Sequence, residues 1–330
     1  MNTTTLSSAA PSRITSRFDR EASVFDVVKG VDLNGKTALV TGGGAGFGYA
    51  TARALAQAGA TVYVADVDLP KTRAAADAWN AENPQAPIQA LQLDLGSNAA
   101  VREFADRFVK EVPRLNILVN NAGIMAAPQA YTKDGVELQL AVNFLGHYVL
   151  SRLLTPALVK ADGSRVVCVS SIGHRRSDIR YHDINVREGT YNTWDAYGQS
   201  KTACALLAVE IDRRLKGEGV RSNTLNPGGS MTGLHHHLTD EERRRMGWLD
   251  ENGKMPAKWR APEQCAATAT WLATAPELAN VGALYFEECQ QAMPWTEENP
   301  GVGVKPYAID PDNAQRLWDV AAQLAGMPGK

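Results

Sequence analysis

A glycine-rich turn between a strand-like run and a helix-like run places the strongest constraint on how this 330-residue chain can fold. The turn reads Thr41-Gly-Gly-Gly-Ala-Gly-Phe-Gly48 and lies between the apolar runs 37–41 and 50–58. Glycines at this place let the backbone turn tightly and approach a pyrophosphate at the N-terminus of the helix. The order of strand, turn and helix predicts dinucleotide binding at Gly42, Gly46, Phe47 and Gly48.

Apolar runs of strand length alternate with helix-length segments from Lys36 onward. This alternation is typical of a sheet covered on both faces, so we predict an α/β fold with a Rossmann-type, doubly wound parallel β-sheet flanked by helices. The predicted strands are 37–41, 61–65, 88–93, 117–119, 165–170 and 221–226. The predicted helices are 50–58, two pieces within 133–160, and 200–216.

No linker interrupts the alternation, which predicts a single dinucleotide-binding catalytic domain, 36–330, after an N-terminal extension, 1–35. The polar stretch 173–194 is predicted to leave the sheet as an excursion. The segment from about 228 to 262 is predicted to form a helical substrate flap. Both begin just after the carboxyl end of a strand, where open α/β sheets bind ligands. A C-terminal extension, about 291–330, ends in a short predicted helix.

Charge and composition exclude several classes of protein. A formal net charge of −2 provides no basic surface for nucleic acid or an anionic membrane, and no stretch reaches the ~20 apolar residues of a membrane helix. Residues 1–20 are interpreted as a solvated tail rather than a transit peptide.

The run His235-His-His237 predicts no metal site, because adjacent side chains on a helix point in different directions. Widely spaced cysteines without a C-x-x-C pair predict reduced thiols and a cytoplasmic location. They are Cys168, Cys204, Cys265 and Cys289.

Asp66 ends the second predicted strand, 20 residues after Gly46. A carboxylate at this place accepts hydrogen bonds from the adenosine ribose hydroxyls and repels a 2′-phosphate. No arginine follows directly. The position therefore favours NAD(H) over NADP(H), although an aspartate that caps the next helix is an alternative interpretation.

Tyr197 and Lys201 occur in Tyr-Gly-Gln-Ser-Lys at the start of an apolar helix. The four-residue offset places both side chains on one helical face, about one turn apart. A tyrosine hydroxyl is a weak acid, and a nearby lysine ammonium favours its phenolate. The pair suits the movement of a proton on or off an alcohol oxygen, although Tyr-x-x-x-Lys alone occurs by chance on many helices.

From about Lys36 to Gln290 the chain resembles the short-chain dehydrogenase/reductase family of the classical type. The matching motifs are the turn 41–48, Asn120-Asn-Ala-Gly123, Asn143, Ser171, Tyr197 with Lys201, and Pro227-Gly228. More narrowly, the segments 142–148, 196–201, 262–267 and 282–289 resemble the retinol-dehydrogenase-like branch. The 26-residue step from Ser171 to Tyr197 supports that branch, because the family's usual step is about half as long.

The resemblance implies a catalytic set of Asn143, Ser171, Tyr197 and Lys201. Ser171 would hydrogen-bond the reacting oxygen, and Tyr197 would act as the general acid or base. Lys201 would favour the phenolate and hold the nicotinamide ribose. Asn143 resembles the family residue that holds a water and relays protons from Lys201 to solvent. Ser170 would point away from Ser171, because strand side chains alternate.

Further cofactor contacts are implied by the same resemblance. The pair after the third strand would contact adenine, the loop after the fourth would pass close to the adenosine, and a threonine after the sixth would bind the nicotinamide carboxamide. Taken singly, each of these motifs has a turn or cap as its alternative. The implied residues are Asp94 and Leu95, then Asn121, Ala122 and Gly123, then Pro227, Gly228 and Thr232, with Tyr197 and Lys201 beside them.

These residues predict an NAD(H)-dependent oxidoreductase that interconverts an alcohol and its ketone or aldehyde by hydride transfer. Met, Leu and Trp residues in the flap suggest a hydrophobic or ring-bearing substrate. Two alternatives stay open, a C=C reductase similar to protochlorophyllide reductase and a non-enzymatic nucleotide-sensing regulator. Asp66 speaks against the first, since that relative uses NADPH, and the intact Tyr197 and Lys201 speak against the second.

Wide apolar stripes on the helical segments 143–160 and 200–216 bear on assembly. In relatives the equivalent helices often pair between subunits, which implies a homodimer or homotetramer. Packing of these helices on the chain's own sheet is the alternative, and the terminal extensions would then block assembly.

Overall fold

A single eight-stranded sheet forms the centre of the molecule, a computed structural model that describes residues 13–230, 238–254 and 259–328. The strands are β1 (Thr37–Thr41), β2 (Thr61–Asp66), β3 (Ile88–Gln92), β4 (Ile117–Asn120), β5 (Arg165–Val169), β6 (Arg221–Asn226), β7 (Tyr285–Glu287) and β8 (Gln290–Gln291). Their order is β3-β2-β1-β4-β5-β6-β7-β8, parallel except for β8. The order reverses between β1 and β4, which places a binding crevice at the carboxyl ends of these strands.

Helices cover both faces of this sheet. They are α1 (Val24–Val27), α2 (Gly46–Gln57), α3 (Leu69–Glu82), α4 (Asn98–Glu111), α5 (Leu138–Leu140), α6 (Gly146–Lys160), α7 (Thr193–Leu215), α8 (Asp240–Arg245), α9 (Pro262–Cys265), α10 (Ala267–Thr274) and α11 (Pro311–Leu324). Strand side chains alternate, so Leu39 and Leu118 pack with α4, α6, α7 and α11, whereas Val40 and Val119 pack with α1, α2 and α10. The predicted Rossmann-type fold is therefore confirmed.

The six predicted strands end within one residue of the observed ones, but several helix boundaries were wrong. α7 begins at Thr193 rather than 200, because the Asn192 side chain accepts the N–H of Trp194 at 3.0 Å and caps the helix. The helical region predicted from 133 begins at Leu138, where the buried Glu137 carboxylate caps α5. The strands β7 and β8 were not predicted.

The apolar stripes of α6 and α7 are covered by the same chain. α7 is buried continuously over 196–212, between the sheet, α6 and α11. Trp318 of α11 meets the ring of Tyr148 on α6 edge-on, with ring centres 4.8 Å apart. Subunits could pair through these faces of α6 and α7 only if α11 moved away from them. A homodimer or homotetramer stays a prediction.

The described part of the N-terminal extension, 13–35, packs on the catalytic domain. Thr15 forms an antiparallel bridge with Gln290 of β8, and Val24 and Val27 of α1 are buried in the core that includes α10. The extension thus covers the edge of the sheet at β8. In the described ranges no helix is both long and apolar enough to cross a bilayer.

Candidate active site

The glycine turn after β1 brings two backbone segments into contact. Gly42 has a φ of +66°, and a Cβ there would lie 2.9 Å from Asn121 Nδ2. That amide donates to the Thr41 carbonyl at 2.8 Å, and a Cβ at Gly48 would lie 2.5 Å from it. Glycine is therefore required at both positions. Ala45 has no capping side chain, so the first N–H groups of α2 fit a pyrophosphate.

A buried histidine ties this turn to the predicted catalytic asparagine. The Thr41 hydroxyl accepts the N–H groups of Asn121 and Ala122 at 2.9 and 3.0 Å. His147 Nδ1 donates to the carbonyl of Asn143 at 2.8 Å, so its Nε2 accepts from the Thr41 hydroxyl at 2.7 Å. Burial lowers the pKa of His147 to about 4, which keeps the ring neutral.

Asn143 lies in a π-helical turn, Ala141–Leu145, between α5 and α6, and such turns are frequent at functional sites. Its side-chain amide donates to the Ile124 carbonyl at 3.0 Å and to the Ser200 hydroxyl at 2.8 Å. Its Oδ1 accepts the N–H of Ile124 at 2.8 Å. Asn143 therefore joins the loop after β4 to α7. Its predicted water-holding role stays a prediction.

Lys201 is buried beside that loop. Its Nζ donates to the Val169 carbonyl at 3.1 Å and lies 5.8 Å from the centre of the Tyr197 ring. A Cβ at Gly123 would lie 3.4 Å from this Nζ and 3.0 Å from Asn143 Oδ1, so the glycine keeps the space between them open. An ammonium carries three donors, and this arrangement suits the hydroxyls of a ribose.

Ser171 and Tyr197 meet on either side of Gly173. A Cβ at Gly173 would lie 2.7 Å from Tyr197 Cε1 and 3.4 Å from Ser171 Oγ. Ser171 Oγ accepts the Gly173 N–H at 3.0 Å, and its own proton can serve a reacting oxygen. Ser171 opens the turn after β5 rather than ending the strand. Ser170 Oγ points the other way and donates to the Lys201 carbonyl at 2.7 Å.

The predicted adenosine contacts also lie at the carboxyl edge of the sheet. Asp66 closes β2, and its Oδ1 accepts the Asp68 N–H at 3.3 Å. Asp94 accepts the N–H two residues further on at 2.8 Å, which shapes a tight turn. Leu95 is buried against α6, where a Cβ at Gly146 would lie 2.8 Å from Leu95 Cβ.

The turn after β6 follows the same edge. Gly228 has a φ of +88° and packs against the guanidinium of Arg260, which donates to the Pro227 carbonyl at 3.3 Å. Thr232 and the histidines 235–237 lie outside the described residues. Among the residues that are described, no group of three His, Cys, Asp or Glu side chains is placed to hold a metal ion.

Residues 36–243 match the family model described as short chain dehydrogenase. The chain belongs to the short-chain dehydrogenase/reductase family. Two curated relatives are the short-chain dehydrogenase/reductase prx1 of Penicillium rubens and human retinol dehydrogenase 13, each 38% identical. The matches cover 93% of this chain and 91% of the first relative, and 89% of this chain and 86% of the second. The predicted retinol-dehydrogenase-like branch is confirmed.

Solved structures show the same fold in this family. A protein from Mycobacterium paratuberculosis is 31% identical with a TM-score of 0.70, over 92% of this chain and 98% of that one. A short chain dehydrogenase from Burkholderia cenocepacia, solved in complex with NADP, is 26% identical with a TM-score of 0.60. That match covers 76% of this chain and 94% of the other.

In this short-chain dehydrogenase/reductase an apolar cluster surrounds Tyr197. The Trp194 ring meets the Tyr197 ring edge-on, with centres 6.4 Å apart, and the Trp248 ring lies 5.8 Å from Trp194. The other members of the cluster are Met125, Ala126, Leu238 and Met246. The described part of the predicted flap thus packs next to Tyr197, and Trp194 packs against the same ring.

Several residues of this dehydrogenase/reductase site were missed by the sequence interpretation. Thr41 and His147 lie inside recognised motifs, but neither was assigned a role. Gly173 and His174 fall at the start of the polar stretch 173–194, and nothing local marks His174. A signal was available for Gly173, as a glycine two residues after the predicted catalytic Ser171.

Proposed function

We propose that this chain is an NAD(H)-dependent oxidoreductase that interconverts an alcohol and its ketone or aldehyde. The observation that carries the proposal is the meeting of Ser171 and Tyr197 across Gly173, where a Cβ would touch both side chains. One substrate oxygen at this place contacts both hydroxyls. Lys201, buried one helical turn from Tyr197, supplies the positive charge.

Proton transfer follows from this arrangement. In alcohol oxidation the Tyr197 oxygen takes the hydroxyl proton while Ser171 Oγ holds the same substrate oxygen. In carbonyl reduction Tyr197 returns that proton. The Lys201 ammonium stabilises negative charge on the tyrosine oxygen. When bound, the nicotinamide accepts or supplies the hydride.

The cofactor preference that we propose is NAD(H) over NADP(H). The Asp66 carboxylate at the end of β2 suits two ribose hydroxyls and repels a 2′-phosphate. The next residue, Val67, is exposed and carries no charge to attract a phosphate. A comparison of kcat/KM with the two cofactors tests this, and a higher value with NADP(H) contradicts it. Asp66→Ser is expected to raise relative use of NADP(H) at least about tenfold.

A hydrophobic or ring-bearing substrate is the class that we propose. The support is the apolar composition of the Tyr197 cluster, in which Trp194, Trp248 and Met125 offer flat and adaptable contacts. Alcohols and ketones of graded size and polarity would be screened by absorbance of the reduced cofactor. Preference for small polar alcohols contradicts the class, and turnover only of enones favours the C=C reductase.

Tyr197→Phe tests the acid–base role. The variant keeps the ring but loses the proton, so kcat is expected to fall by about 10²–10⁴-fold. Tyr63→Phe on β2 is the matched control. Unchanged turnover in Tyr197→Phe on a confirmed alcohol contradicts the role, and absence of turnover in the parent protein with cofactor binding intact supports the regulator instead.

Location and assembly are also proposals. A cytoplasmic protein is expected from its four free, buried cysteines, which a reducing compartment preserves. Cell fractionation checks the location. Light scattering on the purified protein checks the homodimer or homotetramer, which would have to use faces other than those that α11 covers.

A further inference from the structure

The carbonyl of the catalytic Ser171 receives three hydrogen bonds. His174 donates from its backbone N–H at 3.0 Å and from Nδ1 at 2.7 Å, and the Tyr285 hydroxyl donates at 3.2 Å. These contacts close the turn that holds Gly173 against the Tyr197 ring. The position of Ser171 relative to Tyr197 is therefore fixed from the backbone side of the serine.

His174 also connects the Ser171 carbonyl to the C-terminal part of the chain. The backbone N–H of Lys305 can only donate, so the His174 Nε2 that it meets at 3.1 Å must be the acceptor. The ring proton therefore sits on Nδ1, directed at the Ser171 carbonyl. The ring is fully buried, and burial lowers the pKa of His174 to about 4, so it stays neutral.

The surrounding contacts keep this ring in one orientation. The Tyr307 hydroxyl donates to the His174 carbonyl at 2.9 Å, and the Thr202 hydroxyl of α7 shares its proton between this carbonyl, at 3.0 Å, and the Ser177 carbonyl, at 2.7 Å. The Tyr285 ring lies 5.0 Å from the imidazole, centre to centre. The C-terminal segment that contains Lys305 and Tyr307 is thus joined to the turn after β5 through both the ring and the carbonyl of His174.

We infer that His174 is a positioning residue for Ser171, and that the C-terminal segment acts on the reaction through it. The inference rests on the proposed function, because it concerns where Ser171 holds the reacting oxygen. His174 touches neither of the catalytic hydroxyls in any contact described above. It sets the distance from the serine to the tyrosine by holding the serine carbonyl.

Two conservative variants separate the two hydrogen bonds of the ring. His174→Asn places its amide nitrogen where Nδ1 stands and keeps the donor to Ser171. His174→Gln reaches the Lys305 amide with its oxygen and loses the donor to Ser171. We expect kcat to fall about 10–100-fold in His174→Gln, since small misplacements of reacting groups have effects of that size, and to stay within about threefold in His174→Asn. Cofactor Kd should change less than twofold in both.

A second pair of variants changes Lys305, at the other end of its hydrogen bond to His174. Lys305 has a φ of −71°, which suits proline, so Lys305→Pro removes the N–H that meets His174 without a change of local backbone angle. Lys305→Ala keeps the N–H and removes only the ammonium that lies over Trp295. We expect a fall in kcat of up to about threefold for Lys305→Pro, as for His174→Asn, which loses the same hydrogen bond, and none for Lys305→Ala. His182→Asn, at an exposed histidine, is a further control.

The tautomer of His174 can be read without any substrate. Nitrogen NMR of protein labelled with [15N]histidine at pH 7 should show two rings protonated at Nδ1, those of His147 and His174, and the signal of the second should disappear in His174→Gln. A ring protonated at Nε2 overturns the inference, as does wild-type kcat in His174→Gln. It is also overturned if His174→Asn and His174→Gln fall equally, or if cofactor affinity falls in parallel with kcat. Absence of turnover in the parent protein would instead overturn the proposed function.

Discussion

The two sides of Tyr197 are held in place by different means. On the cofactor side, Gly42 and Gly48 let backbone and the Asn121 amide approach so closely that a single added carbon would collide. On the C-terminal side, His174 and Tyr285 donate hydrogen bonds to the Ser171 carbonyl. Tyr285 and the residue that contacts the His174 ring both lie far from Ser171 in the chain. Substitutions that add atoms should therefore disturb the cofactor side, and substitutions that remove atoms should disturb the C-terminal side.

One element is common to both sides. Each has a buried neutral histidine that donates from Nδ1 to the carbonyl of a predicted catalytic residue, His147 to Asn143 and His174 to Ser171. The difference lies at Nε2. His147 accepts from the hydroxyl of Thr41 in the cofactor turn, whereas His174 accepts from a backbone amide of the C-terminal segment. The comparison predicts that His147 variants weaken cofactor binding and that His174 variants lower kcat.

The largest expected effect concerns α11, which covers the C-terminal side. Trp318→Ala removes a buried ring that packs on Tyr148, and the free energy of unfolding should fall by about 3–5 kcal/mol. Urea unfolding measures the change. Gln323→Ala, at an exposed position on the same helix, should be near neutral. Equal stability of Trp318→Ala and the parent protein would show that α11 is no part of the core.

Gly48→Ala is the matching change on the cofactor side. The added Cβ would meet the Gly42 carbonyl and lie 2.5 Å from the Asn121 amide. Overpacking of this kind costs about 1–3 kcal/mol, so affinity for the reduced cofactor should fall by up to about 100-fold. Fluorescence titration measures it. Gly217→Ala, where a Cβ meets no atom within 4 Å, is the control. Unchanged affinity in Gly48→Ala would remove the contrast between the two sides.

A lower pH should reduce the free energy of unfolding equally through the histidines of the two sides. The pKa of His147 and of His174 is lowered to about 4 by burial, against a usual value near ~6.5. Each depressed pKa contributes stability that is present above pH ~6.5 and is lost as the pH falls towards 4. Between pH 7 and pH 4.5 each histidine should account for about 2 kcal/mol of lost unfolding free energy.

Urea unfolding of His174→Asn at these two pH values isolates one of the two contributions. The loss on acidification should be smaller by about 2 kcal/mol than in the parent protein, whereas His182→Asn should behave as the parent. Burial raises the pKa of Glu137 and Glu287, so these groups add stability on acidification, but they are present in all the proteins compared. An identical pH dependence in His174→Asn would mean that the ring takes up its proton as readily in the folded protein as in the unfolded chain.

The smallest effect is expected from Tyr307→Phe. It removes one hydrogen bond to the His174 carbonyl, at 2.9 Å, while the Thr202 hydroxyl keeps the second. The loss of unfolding free energy should be about 1 kcal/mol, and cofactor affinity should not change. Thermal unfolding measures the first and fluorescence titration the second. A fall in cofactor affinity would show that the two sides are coupled through this carbonyl.

The elements that could be predicted are those whose signal is local. Six strands and the glycine turn could be predicted, because each depends on residues that are neighbours in the chain, whereas the catalytic set came from the family resemblance and stays a prediction. The hairpin of β7 and β8 was not predicted. Its two turn residues, Glu288 and Cys289, have φ angles of 50° and 55°, and such a turn is usually marked by Asn and Gly. Here the Thr268 hydroxyl accepts the Cys289 N–H at 3.0 Å instead.

The sequence by itself determined the family, the fold class, and the turn in which only glycine fits. The family follows from the resemblance of its motifs, and the fold class and the turn follow from the period of apolar residues and from backbone geometry, which are local properties. Only the tertiary structure decided that Lys305 meets His174, and that α11 covers the helices expected to pair between subunits. Such contacts join residues that are more than 100 positions apart, and no periodicity or spacing records them, because they form only when separate elements pack on the same sheet.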